Sequence, residues 1–173
     1  MHPPRRLLFV CLGNICRSPM AEGIFIHMAR QRGVLDQFEV DSCGLGGWHV
    51  GSRADPRALA TAASNGVDLP SCARKFDPAT DPHRFDLLLA MDASNARGLI
   101  DRGTPPEKVR LMRSFDPMLR DAVDEHGQPK GNADIDVPDP YYGADGGFEL
   151  VYAMLVRACE GLLGFLSGQG TAS

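Results

Sequence analysis

Leu7-Leu8-Phe9-Val10-Cys11-Leu12-Gly13-Asn14-Ile15-Cys16-Arg17-Ser18-Pro19 is the stretch on which the fold turns. It opens with four consecutive apolar residues, the pattern of a strand buried on both faces of a parallel sheet. It closes on Ser18-Pro19, a capping hydroxyl followed by a proline at the first helical position, which signals a helix start. Met20, Ala21, Ile24, Phe25 and Met28 then recur at helical spacing until Gly33 supplies a stop. A buried strand therefore runs through a short loop into a helix. Backbone N–H groups at such a turn converge with the positive end of the helix, which suits an anion.

The alternation continues along the chain. Phe38–Ser42 reads as a second strand, and Asp55-Pro56 opens a helix that carries Leu59, Ala62 and Ala63 and ends at Gly66. Asp86–Met91, with Leu87-Leu88-Leu89, is a third buried strand, followed by a helix over Ala93–Arg102 and a short strand over Val109–Met112. In the last long pattern, Phe148 to Leu166, one face carries Phe148, Val151, Leu155, Cys159 and Leu162. Strands alternating with helices predict an α/β fold, a three-layer αβα domain with a central four-stranded parallel sheet and the anion loop after strand 1. Ligands of such folds sit at the carboxyl ends of strands, near the switch in strand order. Ser114–Gly143 is rich in Asp, Pro and Gly with little periodicity, and its length marks it as a functional loop. The 173 residues suffice for a single domain over 1–173, frayed at about 1–5 and 167–173.

A formal net charge of −4, without a long basic run, argues against broad nucleic-acid binding. Arg5 and Arg6 before Leu7–Val10 open like a signal peptide. The apolar run stops at Leu12, however, and Gly13, Asn14 and Arg17 interrupt what would be its centre, so it reads as a buried strand with no membrane segment. Cys11, Cys16, Cys43, Cys72 and Cys159 are an odd, scattered set, which points to a reducing, cytosolic setting. No second compact Cys/His pair follows Cys11 and Cys16, which argues against zinc. Gly44-Leu45-Gly46 has His49 where a dinucleotide fingerprint needs glycine, and no Gly-Lys-Ser/Thr loop exists.

Cys11 stands where the converging N–H groups would favour a thiolate and make it a nucleophile. Arg17 can hold two oxygens of a phosphate through its planar fork. Gly13 lets the backbone come close to a ligand, and Asn14 tolerates a left-handed conformation. The spacing alone leaves open a buried, inert cysteine that merely ends a strand. A phosphate ester also needs its leaving group protonated. Asp139, held between Pro138 and Pro140, is the candidate acid, and a phosphate dianion beside it would keep it protonated. Tyr141 and Tyr142 could wall a flat substrate ring. A simple turn is the competing reading of that segment.

Taken together, Cys11–Ser18 with Pro19 and Asp139-Pro140-Tyr141-Tyr142-Gly143 resemble the phosphate loop and acid loop of the low-molecular-weight protein tyrosine phosphatases. Weaker matches lie at Asp41-Ser42, Gly47-Trp48-His49-Val50-Gly51, Asp55-Pro56-Arg57 and Met91-Asp92-Ala93-Ser94-Asn95, so the resemblance runs from about Leu7 to the final helix. It implies that Cys11 attacks the phosphorus of protein phosphotyrosine and forms a cysteinyl-phosphate. Arg17 and the loop amides of Leu12, Gly13, Asn14, Ile15 and Cys16 would hold the phosphoryl oxygens. Asp139 would protonate the phenol and then activate water. Ser18 would donate a hydrogen bond to the Cys11 thiolate, with Asn14 and Ser42 bracing the loop. Trp48, Tyr141 and Tyr142 would line the cleft, although Trp48 has a competing reading as a core tryptophan. Cys16 would form a reversible disulfide with Cys11 on oxidation. The resemblance implies no cofactor and no metal, a monomer or weak dimer in the cytoplasm, and phosphotyrosine proteins with a cognate tyrosine kinase as partners.

The chain departs from the family pattern in two places. Cys72 precedes Ala73-Arg74 where many members have His, and Cys43 stands where a small residue is usual. A His-to-Asp92 interaction is thereby lost and the role of Asp92 stays open. Three rivals remain. Arginine phosphatases of this fold tend to carry Thr where Ile15 stands. Arsenate reductases need a further close cysteine pair, whereas Cys72 and Cys159 stand alone. A phosphate-binding module without catalysis needs neither a thiol nor an acid.

Overall fold

The computed structural model describes residues 2–143 and 147–168. Strand β1 (Arg5–Cys11) lies inside the sheet, flanked by β2 (Phe38–Gly44) on one edge and β3 (Leu87–Ala90) on the other. Strand β4 (Val109–Leu111) pairs with β3, giving the order β2-β1-β3-β4 with every pairing parallel. Successive β1 side chains point to opposite faces. Leu7, Phe9 and Cys11 join one core with α1 (Arg17–Gln31), α2 (Pro56–Ser64) and α5 (Gly147–Leu166). Leu8 and Val10 join a second core with Phe85, Leu99 and Ile135, on the side of the short helix α3 (Asp81–Arg84) and of α4 (Ala93–Asp101). With both faces covered, β1 has no polar side, so its sequence reads as a continuous apolar run. Each of those large side chains contributes about 1.5–3 kcal/mol on burial, which fixes β1 as the axis of the three layers.

From β1 the chain crosses to β2 on one side and later returns to β3 on the other. The switch in strand order therefore falls at the carboxyl end of β1, where Cys11 sits. The expected elements occur within a few residues of their readings, with four differences. Arg5, read as frayed, pairs with Phe38 in the β1–β2 ladder. Ser18 does not cap α1: the helix begins at Arg17, and its N-cap residue Cys16 makes no side-chain cap bond. The Ser18 hydroxyl is engaged by Cys11 and Asn14 instead. Helix α3 was not anticipated, since four residues are too few to show a hydrophobic period. The Ser114–Gly143 segment holds a 3-10 turn over Pro117–Ala122 and a bridge between Val123 and Pro129. Of the expected frayed ends, Ser167 and Gly168 form a turn after α5, while Met1 and residues 169–173 lie outside the described residues.

Candidate active site

The loop from Cys11 to Arg17 is shaped by Asn14, which takes a left-handed φ of 57°. Its amide donates from Nδ2 to Ser18 Oγ (2.8 Å) and Ser42 Oγ (3.0 Å), and its Oδ1 accepts from Arg74 N (3.0 Å). Strand β2, the Arg74 segment and the first turn of α1 are thus tied together through one side chain. Ser42 in turn donates to Glu22 Oε2 (2.6 Å), which also accepts from Ser71 Oγ (2.9 Å). Burial raises the Glu22 carboxyl above its ordinary range, and these two hydrogen bonds oppose that rise. Beneath the loop, a Cβ on Gly44 would lie 2.8 Å from Leu12 O and 3.0 Å from Asn14 N. Only glycine leaves room for the loop backbone there.

The Cys11 thiol is buried and lies 3.0 Å from Ser18 Oγ, and Asn14 N donates to it at 3.3 Å. Ser18 Oγ already accepts from Asn14, so its own proton is free for Cys11 Sγ, with Cys43 O a more distant acceptor at 3.4 Å. Among the described residues, no protein acceptor takes the N–H groups of Gly13, Ile15 and Cys16. At Cys16, burial first, then repulsion from Asp55, pushes the thiol up to about 12.

Arg17 is nearly buried, its side chain 4% exposed. Its Nη1 is held from behind by Asp92 Oδ2 (2.6 Å) and by Val137 O (3.0 Å). The other edge of the fork is uncommitted. Nε is buried with no acceptor among the described residues, and Nη2 stands 3.8 Å from Asp139 Oδ2. Nε and Nη2 are parallel donors on one edge, the geometry that takes two oxygens of an oxyanion. Burial alone would lower the Arg17 guanidinium, but Cys11, then Asp92 and Asp139, outweigh it and raise it. Asp92, whose role the sequence left open, also caps α4 by accepting from Asn95 N (2.7 Å).

Asp92→Asn is expected to separate those two duties. Asparagine keeps the cap, so the melting temperature should move little. Losing a charge-assisted bond worth about 1.5–3 kcal/mol should lower kcat/KM on aryl phosphates roughly tenfold to a hundredfold and weaken vanadate inhibition. Unchanged vanadate affinity would show that Asp92 does not position Arg17.

Asp139 enters from the loop before α5. Its Oδ1 accepts from Tyr141 N (3.0 Å), which turns Oδ2 toward Arg17. The loop is pinned where Val137 N donates to Met91 O (2.7 Å), at the end of β3. On its outer side Arg57 donates to Tyr141 O (3.3 Å) and stacks on the rings of Tyr141 and Phe148. Cys11, Arg17, Asp139, Trp48, Tyr141 and Tyr142 all line one cleft of about 400 Å³, as do Leu12, Gly13, Ile15 and Cys16. Trp48 is 72% exposed and Tyr142 88%, so Trp48 is not a core tryptophan but part of the cleft mouth.

Every candidate from the two motifs therefore reaches the cleft or the bracing network. Sequence reasoning missed His49, which lines the cleft against Gly13, and the supports Glu22, Ser71 and Arg74. It also missed the Val137 carbonyl behind Arg17. His49 lay inside a quoted motif and could have been found; a backbone carbonyl leaves no signal in sequence.

An oxyanion at this turn would meet a thiol and an arginine edge, with a carboxyl beside them, the arrangement of a cysteine-dependent phosphatase. The chain belongs to the low molecular weight phosphotyrosine protein phosphatase family, whose family model matches residues 6–171, and is a hydrolase of that family. A Streptomyces coelicolor protein named low molecular weight protein-tyrosine-phosphatase is 44% identical over 162 residues, covering 91% of each chain. Among solved structures, an Entamoeba histolytica protein tyrosine phosphatase with Hepes in its active site superposes with a TM-score of 0.79 at 34% identity, covering 95% of this chain and 99% of that one. The Drosophila arginine phosphatase superposes with a TM-score of 0.77 at 31% identity, covering 96% of this chain and 99% of that one. No described helix is long and apolar enough to cross a membrane.

Proposed function

We propose that this chain acts as a single-domain phosphatase on protein phosphotyrosine, with Cys11 as nucleophile, Arg17 as phosphate clamp and Asp139 as general acid and base. The observation that carries the reading is the uncommitted Nε–Nη2 edge of Arg17, in a cleft shared with Cys11 and Asp139. The Cys11 thiolate attacks phosphorus, and the bond from phosphorus to the tyrosyl oxygen breaks as Asp139 gives that oxygen its proton. The loop amides and Arg17 follow the charge on the equatorial oxygens. Asp139, now a carboxylate, takes a proton from water as the water attacks the cysteinyl-phosphate. The S–P bond breaks, and the departing Cys11 thiolate is received by the Ser18 hydroxyl, 3.0 Å away. Trp48, Tyr141 and Tyr142 flank the aryl ring.

The five cysteines are all free, in keeping with action in the reducing cytoplasm. Under peroxide, Cys11 oxidised to a sulfenic acid would condense with the Cys16 thiol, releasing water and forming a disulfide that thiols reverse. Phosphotyrosine proteins, with a cognate tyrosine kinase, are the partners this reading assigns, and the chain works as a monomer or weak dimer.

Phosphoarginine is the second substrate considered, on the strength of the Drosophila arginine phosphatase. Ile15 lines the cleft, where its bulk should exclude a guanidinium that needs hydrogen-bonding room. Phosphotyrosine, phosphoserine and phosphoarginine peptides compared side by side should show a preference for phosphotyrosine. Ile15→Thr should raise phosphoarginine turnover relative to phosphotyrosine, by roughly tenfold on the usual scale of a reshaped apolar pocket. A wild-type preference for phosphoarginine would overturn the tyrosine assignment and keep the mechanism.

A further inference from the structure

A second cavity of about 470 Å³ opens beside the catalytic cleft, and Leu12 and Trp48 line both. Its remaining wall includes Leu45, Ser94 and two cations, Lys75 and Arg102. Among the described residues no carboxylate lines it, although the chain as a whole carries a net charge of −4. Neither cation has an ion-pair partner among the described residues.

Arg102 is placed by a missing side chain. A Cβ on Gly98 would lie 3.2 Å from Arg102 Nη1 and 2.6 Å from Leu45 Cδ1. Without it, the guanidinium folds back over α4 and donates to Gly98 O at 2.8 Å, leaving its other donors unengaged among the described residues. The Lys75 stem packs beside Gly47, where a Cβ would lie at an ordinary contact distance of 3.4 Å from its Cδ. Apolar walls with two unpaired cations form a site for a carboxylate on an aliphatic stem. Leu12 of the phosphate loop and Trp48 form a wall shared by the two cavities, so one extended polypeptide can occupy both.

We infer that Lys75 and Arg102 form a specificity subsite that binds an Asp or Glu side chain flanking the phosphorylated residue in the substrate protein. This rests on the protein phosphatase reading above and adds a sequence preference to it. The two cations touch no reacting atom, so their contribution falls on substrate capture.

The test is a scan of phosphotyrosine peptides carrying a single Glu at each flanking position in an alanine background, run with wild type and Lys75→Gln/Arg102→Gln. Wild type should prefer at least one Glu peptide over the alanine peptide by roughly threefold to tenfold in kcat/KM, mainly through KM, as expected of partly exposed ion pairs. That preference should shrink in about 0.5 M salt. The double variant should lose it while keeping wild-type kcat/KM on p-nitrophenyl phosphate, which has no flanks. Lys75→Glu/Arg102→Glu should instead favour Lys at the same position. Equal discrimination by wild type and the double variant would overturn the subsite. A wild type indifferent to flanks, whose self-association in sedimentation is lost in the double variant, would assign the cavity to a second copy of the chain and overturn it too. Should phosphoarginine prove the preferred group, the parent reading fails separately, and the same scan in phosphoarginine peptides still decides the subsite.

Discussion

Cys11→Ser is expected to abolish turnover, by roughly 10⁴-fold or more, while inorganic phosphate and vanadate still bind. The nucleophile and the anion site are separate parts of the same loop. In the proposed mechanism binding rests on the Nε–Nη2 edge of Arg17 and on the amides of residues 12–17, and none of these uses the Cys11 sulfur as a partner except Asn14 N. A serine hydroxyl fits that space but stays protonated, and oxygen held so is a poor attacking group for a phosphate monoester. Calorimetry with vanadate should therefore give an affinity near that of wild type. Cys16→Ser should behave differently. Burial and Asp55 keep the Cys16 thiol protonated at neutral pH, so it is not a competing nucleophile and its loss should leave substantial activity. The variant should fail to recover after peroxide treatment followed by a thiol, because Cys11 then lacks a disulfide partner. A Cys16→Ser enzyme as inactive as Cys11→Ser would show that the two thiols had been assigned wrongly.

Much of this site was legible because its reactive parts sit close together in sequence. Cys11, Asn14, Arg17 and Ser18 occupy one strand-to-helix turn, and the continuous apolar run before it reads as a strand covered on both faces. What was not legible depends on strand order. Asp92 reaches Arg17 from 75 positions away because β3 pairs with β1 residue by residue, which delivers both chain ends to one edge of the sheet. Periodicity gives the strands but not their neighbours, so the loss of a family histidine at Cys72 left Asp92 without an apparent partner. The helix-cap reading of Ser18 failed for a related reason, although the family resemblance had assigned its contact with Cys11. Its local signal is that of a helix cap, and a contact with Cys11 seven residues earlier overrides it. The Ser42–Glu22–Ser71 chain was invisible for want of any pattern: a buried glutamate in an otherwise amphipathic helix looks like a surface charge until the helix is seen to be covered on that side.

Asp139→Asn should lower turnover on phosphotyrosine by roughly a hundredfold or more, the usual scale for losing a general acid. The substitution is a clean one here. Asparagine keeps an oxygen to accept from Tyr141 N, the contact that shapes the turn, and alters only the group that faces Arg17 Nη2 at 3.8 Å. Arg17, the buried partner of Asp139, keeps its ion pair with Asp92 at 2.6 Å, so the change does not leave the guanidinium without a counter-charge. If Asp139 protonates the leaving oxygen, the defect must depend on how much that oxygen needs a proton. It should be largest for phenols of ordinary basicity and shrink for aryl phosphates whose phenols are acidic, such as p-nitrophenyl phosphate. The basic limb of the pH–rate profile should flatten in the variant, because asparagine has no acid proton to lose. Asp134→Asn and Asp136→Asn should do far less. Asp136 Oδ1 accepts from Ala93 N at 2.9 Å and Asp134 Oδ1 from Asp136 N at 3.0 Å, and neither residue lines the cleft. A defect in Asp139→Asn that is the same for acidic and ordinary phenols would mean that Asp139 only holds the Tyr141 turn in place. The leaving group would then have to take its proton from another source, and His49, among the described residues the remaining titratable side chain in the cleft besides the thiols, Arg17 and the tyrosines, would be the next residue to substitute.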